Sequence, residues 1–151
     1  MKYLTLALLV LGINTQAAEF PFNGGWAGRG SITVDKETTA CDSVEMIIDQ
    51  RENALIIRMD QYLCSTTGIN FGTMAFGVKD GVLYIGTDKV GSINDHEAKF
   101  EYEQNVSNYQ AKWIGHITLE NGKMKITETQ IVTARGKTET ATGTAILTKT
   151  N

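Results

Sequence analysis

The chain has 151 residues, 21% of them charged, with a formal net charge of −3 and a single proline, Pro21. That length suits one domain. The acidic balance argues against a general binder of nucleic acid or of anionic membranes, since both select a basic patch.

The N-terminus carries Lys2, an apolar run from Leu4 to Ile13, and small residues at Thr15 and Ala17. A span of the bilayer takes about 20 apolar residues, so this shorter run reads as a secretory signal peptide over residues 1–17. No cysteine stands at the expected cleavage region to carry a lipid anchor. The expectation is a single mature domain over 18–151, exported to the periplasm or secreted, with no membrane span in the mature form. Loss of Lys2 leaves that domain one unit more negative.

From residue 24 onward the apolar period is two, and no helical pattern interrupts it. The first predicted strand, 24–34, turns Trp26, Gly28, Gly30, Ile32 and Val34 inward and Arg29, Ser31 and Thr33 outward. The next two, 43–50 and 54–63, flank Glu52-Asn53. A turn at those two residues pairs positions whose numbers add to 105, which sets Cys41 opposite Cys64. Opposed residues of an antiparallel pair lie close enough to bridge. In an exported chain a disulfide is the natural reading of two cysteines, contributing about 3 kcal/mol on the loop-entropy account.

Strands 70–78 and 82–88 flank Asp80-Gly81, a dipeptide suited to a tight hairpin turn, and bury Met74, Phe76, Val78, Leu83 and Ile85. Residues 88–97 read as a loop. Its Asp95-His96-Glu97 gathers potential metal ligands, but neighbours on an extended chain point in alternating directions, so no metal site is assigned. Strand 98–104 follows, with Lys99, Glu101 and Glu103 on a solvated face.

Strand 109–120 alternates cleanly: Ala111, Trp113, Gly115, Ile117 and Leu119 face one way, and Gln110, Lys112, His116 and Thr118 the other. Asn121-Gly122 turns the chain into strand 123–133, where Met124 and Ile126 continue the apolar face. The same face then holds Glu128 and Gln130, set beside Gly115 and Trp113. A buried carboxylate must be paired, protonated or bound to something polar. The last strand, 138–149, sets Ala141, Gly143, Ala145 and Leu147 against a comb of Thr140, Thr142, Thr144 and Thr148. Small inward residues on the first and last strands either leave a cavity or make room for large side chains and tight coiling.

The expected fold class is all-β: an antiparallel up-and-down meander of eight or nine strands that closes into a barrel, because closure removes both sticky edges. A β-sandwich is the alternative. The segment Gly24-Gly25-Trp26-Ala27-Gly28-Arg29-Gly30 has the form G-x-W-x-G-x-G. It resembles the opening of lipocalin-like (calycin) barrels, and the longer form also resembles nitrobindin-type heme barrels. The first resemblance implies that Trp26 packs across one barrel end, beneath a late basic residue, Arg135 or Lys149. The second would require a late histidine for heme. Nothing after His116 is histidine, and His116 falls on the outer face, so no cofactor is assigned.

No Ser/His/Asp order, zinc spacing or phosphate-cradling loop occurs, and the chain is not read as an enzyme. The functional expectation is a barrel that binds a small apolar or amphipathic ligand, lined by Trp26, Phe76, Trp113, Glu128 and Gln130. The alternative is a protein-interaction module, such as an inhibitor of a secreted enzyme, acting through the 64–70 and 88–97 loops.

Overall fold

The computed structural model describes residues 20–106 and 108–150; the expected signal peptide lies outside them. Eleven strands form one antiparallel sheet: β1 (Gly24–Val34), β2 (Glu37–Arg51), β3 (Ala54–Cys64), β4 (Gly68–Asn70), β5 (Met74–Lys79), β6 (Val82–Ile85), β7 (Asp88–Ile93), β8 (Glu97–Val106), β9 (Tyr109–Glu120), β10 (Lys123–Ala134) and β11 (Lys137–Lys149). Neighbours in sequence are neighbours in space, except that β3 pairs with both β4 and β5. Pairing of β1 with both β2 and β11, and of β2 with β3, closes the sheet into a hydrogen-bonded ring. The fold is the expected all-β meander, with eleven strands where the sequence suggested eight or nine.

Turn chemistry sets the ring's connections. Asp80-Gly81 and Asn121-Gly122 both hold positive φ at their two residues, and Arg135-Gly136 repeats that geometry. The β1–β2 turn is different, because Lys36 sits at φ +81° where the others place glycine. A side chain in that region costs about 1 kcal/mol or more. Lys36→Gly is therefore expected to raise the melting temperature by roughly 3–6 °C, which a thermal unfolding scan would show.

The β2–β3 hairpin turns at residues 52–53, and Cys41 and Cys64 are register partners joined by a disulfide, with Cα atoms 3.8 Å apart. The register between them is not uniform. Arg58 bulges from β3, between Ile57 and Met59, and Asp42 bulges from β2, between Cys41 and Ser43. Each bulge adds one residue to one strand, so their shifts cancel and the cysteines still meet. The closed loop spans 23 residues of sequence separation. Reduction of the bridge, or Cys64→Ser, is expected to cost about 3 kcal/mol in urea unfolding.

The Arg58 bulge also explains why the expected 70–78 strand is broken. β5 pairs with residues 54–57 of β3 and β4 with residues 61–63, which leaves the bulged stretch between them unpaired. There the Thr73 hydroxyl donates to the Arg58 carbonyl at 3.0 Å, and the Phe71 amide to the Asp60 carbonyl at 3.1 Å. Arg58 itself turns outward to Asp49, 2.7 Å away. The Arg51 and Arg58 guanidiniums hold the Asp49 carboxyl below its usual range.

Residues 88–97, expected to be a loop, contain β7. Its amphipathic period is interrupted by a bulge at Val90, which opposes no residue of β6. Ile85, expected to be buried, is 37% exposed at the end of β6, beside that bulge. The chain then turns through an Asn94 side chain that accepts hydrogen bonds from the His96 and Glu97 amides.

Candidate functional site

One end of the ring is sealed. Trp26 is buried there, its indole N–H donating to the Phe22 carbonyl at 2.9 Å. The Lys149 ammonium lies 5.7 Å from the Trp26 ring centroid, within cation–π range. Arg135, the other basic residue considered for this place, sits in the β10–β11 turn. Met124, Ile126 and Leu147 fill the same end.

The other end is not sealed. Along β10 the inward residues pass from buried (Met124, Ile126, Glu128) to half-buried (Gln130, Val132). Trp113 and Ala141, the register partners of Gln130 on β9 and β11, are half-buried as well. Tyr102 pairs with Trp113 across β8 and β9, and their rings stack at 5.0 Å with an interplanar angle of 12°. Phe76, buried beneath them, meets Tyr102 edge-on at 6.1 Å and Phe100 at 4.8 Å. The result is an aromatic wall that runs from the core to the half-exposed rim.

One inward-facing position below that rim lies the polar part of the core. Asp60 and Glu128 are the two buried charged residues among those described, at 0% and 4% exposure. β10 runs in unbroken register with both neighbours, so the alternation that faces Glu128 inward holds along the whole strand. The Tyr62 hydroxyl donates to Glu128 Oε1 at 2.8 Å. Burial raises the Glu128 carboxyl well above its usual range, and the adjoining Asp60 carboxyl raises it further. Burial raises Asp60 too, against a hydrogen bond from Glu128 that lowers it. Two adjacent carboxylates in a dry interior cannot both ionise, so the pair holds a proton between them. With Glu128 as the protonated partner, its hydroxyl donates to Asp60 while its other oxygen accepts from Tyr62. Burial and the two carboxyls push the Tyr62 hydroxyl far up, which keeps it a neutral donor.

Space for this group comes from glycines. A Cβ on Gly143, the register partner of Glu128 on β11, would lie 2.7 Å from Tyr62 Cζ and 3.0 Å from the Phe71 ring. A Cβ on Gly115, its partner on β9, would enter the Phe100 ring. The small inner residues thus admit Tyr62, Phe71 and Phe100 rather than the two tryptophans. Gly28 and Gly30 serve a different purpose, since a Cβ at either would meet the β11 backbone.

Of the residues singled out from sequence, Trp113, Gln130 and Glu128 come together at the half-exposed end, with Phe76 beneath them. Trp26 lies at the opposite end. Asp60 and Tyr62 were not found from sequence. Leu55 and Ile57 set the inward parity of β3, and on that count Asp60 and Tyr62 point out; the Arg58 bulge reverses the parity after residue 58. His116 is exposed and hydrogen-bonds Glu97 at 2.8 Å.

No protein-family model matches the chain, and no curated protein does. Among solved structures, Rv2717c from M. tuberculosis is similar, with a TM-score of 0.50 and 12% sequence identity over 87% of this chain and 94% of that one. At that identity the likeness shows the fold alone.

Proposed function

We propose that the protein is exported and binds a small amphipathic molecule in the half-exposed end of the ring. The observation that carries this is the layering at that end: stacked Tyr102 and Trp113 at the rim, with a buried carboxyl pair directly beneath. Binding sites are commonly apolar with a few converging polar groups, and this end sets an apolar aromatic wall above a polar pair. The disulfide is compatible with an oxidising compartment, and the signal-like N-terminus supports export. The G-x-W-x-G-x-G opening, with Lys149 over Trp26, supports kinship with lipocalin-like proteins. For the alternative interaction module, residues 88–93 of its second surface belong to β7 and residues 94–96 form the turn after it.

Ala141→Trp tests the reading. Ala141 is half-buried at the rim between Val34 and Gln130, so an indole there would occupy the entrance. The neutral fluorophore N-phenyl-1-naphthylamine is expected to brighten on titration into the wild-type protein and to stay dark with Ala141→Trp, whose circular dichroism is unchanged. No brightening with wild type, or equal brightening with both proteins, would overturn the proposal.

A further inference from the structure

Both carboxyl oxygens of Asp60 are buried and accept no hydrogen bond from any donor other than the Glu128 carboxyl. The side chain is inward, wholly buried, and next to a second carboxyl whose Oε1 is already taken by Tyr62. No Lys, Arg or His belongs to the buried set of described residues, so nothing in the core supplies a counter-charge. A pair of carboxyls with one proton carries one negative charge, and a buried charge is costly unless it is paired. The missing partner must therefore bring donors and a positive charge, and must be narrow enough to pass between aromatic rings.

Resting on the ligand-binding proposal above, we infer that the ligand's head group is a primary ammonium, so that the ring takes amphiphilic amines. An ammonium carries three donors and no acceptor. It can donate to the Asp60 oxygen that Glu128 leaves free and to remaining lone pairs of the two carboxyls, while its charge neutralises the pair. Its alkyl or aryl tail then lies along Phe76, Tyr102 and Trp113 toward the rim, where Ala141 adds to the apolar wall. An alcohol of equal length keeps the tail contacts but brings one donor and no charge. A carboxylate would meet like charge with no donor at all. The order of preference is thus amine, alcohol, acid. It follows from this site holding acceptors where a fatty-acid site would hold a basic residue.

Calorimetric titration at pH 7 with octylamine, octanol and octanoate, each below its aggregation limit, tests the inference. Octylamine is expected to bind about tenfold or more tightly than octanol, the usual margin for a charge-assisted hydrogen bond, and octanoate more weakly still. Asp60→Asn, which keeps the side chain's shape, is expected to cut the amine preference over octanol to about threefold or less. Ala141→Trp should abolish binding of all three, which separates the site from attraction to the acidic surface. Equal affinity of wild type for the amine and the alcohol, or an amine preference that survives Asp60→Asn, would overturn the amine assignment and leave the binding reading standing. Failure of all three compounds to bind would overturn both.

Discussion

Glu128→Gln is expected to stabilise the protein at neutral pH, by an amount that grows with pH. In the folded state the Glu128 carboxyl is held protonated well above its ordinary range, by burial first and by Asp60 second. In the unfolded chain it ionises near the usual value of about 4.3. A folded-state value raised above the unfolded one means that the folded protein binds more protons between the two, so stability falls as pH rises through that window. The contribution of the neutral carboxyl is complete below about pH 4 and is lost by the raised folded value. Glutamine copies the protonated acid: its carbonyl accepts from Tyr62 and its amide donates to Asp60, without a proton to lose. The advantage of Glu128→Gln over wild type should be near zero at pH 4 and grow by about 1.4 kcal/mol per pH unit above pH 4.5, up to the raised value. The exposed carboxylates Asp49, Glu97 and Glu120, each held down by basic neighbours, act with the opposite sign. They are common to both proteins and cancel. Urea unfolding at pH 4, 5.5 and 7 would show the divergence; parallel curves, or a less stable variant at pH 7, would contradict the shared-proton account.

Gly143→Val is expected to be the most damaging single-residue change in the molecule's polar core. Its side chain would enter space held by the Tyr62 ring, the Tyr62 hydroxyl and Phe71. Those groups are locked: Tyr62 is fully buried, bonded to Glu128, and edge-on to Phe71 at 5.5 Å. Overpacking of that kind costs about 3 kcal/mol. The test of mechanism is a double-mutant cycle with Tyr62→Leu, which removes the obstructing ring. The two changes together should cost at least about 1 kcal/mol less than their sum, because contacting residues are not additive. Ile146→Val, three residues along on the exposed outer face, should change stability by no more than about 0.5 kcal/mol. Strict additivity of Gly143→Val and Tyr62→Leu would show that the glycine is there for some other reason.

Much of the ring was legible because its signals are local. Asp80-Gly81 and Asn121-Gly122 are turns wherever they fall between alternating strands, and the clean alternation of β9 and β10 placed Trp113 and Glu128 inward without knowledge of their neighbours. Half of the polar site was not legible, because its position depends on a defect. In β3 the run Leu55-Ile56-Ile57-Arg58-Met59-Asp60-Gln61-Tyr62-Leu63 supports either parity: one buries Met59 and Leu63, the other Asp60 and Tyr62. The bulge at Arg58 selects the second and leaves Leu63 45% exposed. The cysteine spacing could not reveal it, since the Asp42 bulge on β2 offsets the Arg58 bulge on β3 and restores the expected pairing. β7 was hidden for a related reason: the bulge at Val90 breaks the alternation by which a strand is recognised.

The two tryptophans, at opposite ends of the ring, make the most direct test of where a ligand binds. An 15N-labelled sample gives one indole signal from Trp26, sealed beneath Lys149, and one from Trp113, stacked on Tyr102 at the half-exposed rim. On titration with octylamine the Trp113 signal is predicted to shift in a saturable manner while the Trp26 signal stays fixed. Movement of Trp26 alone, or saturable binding that leaves Trp113 unmoved, would contradict the placement of the site.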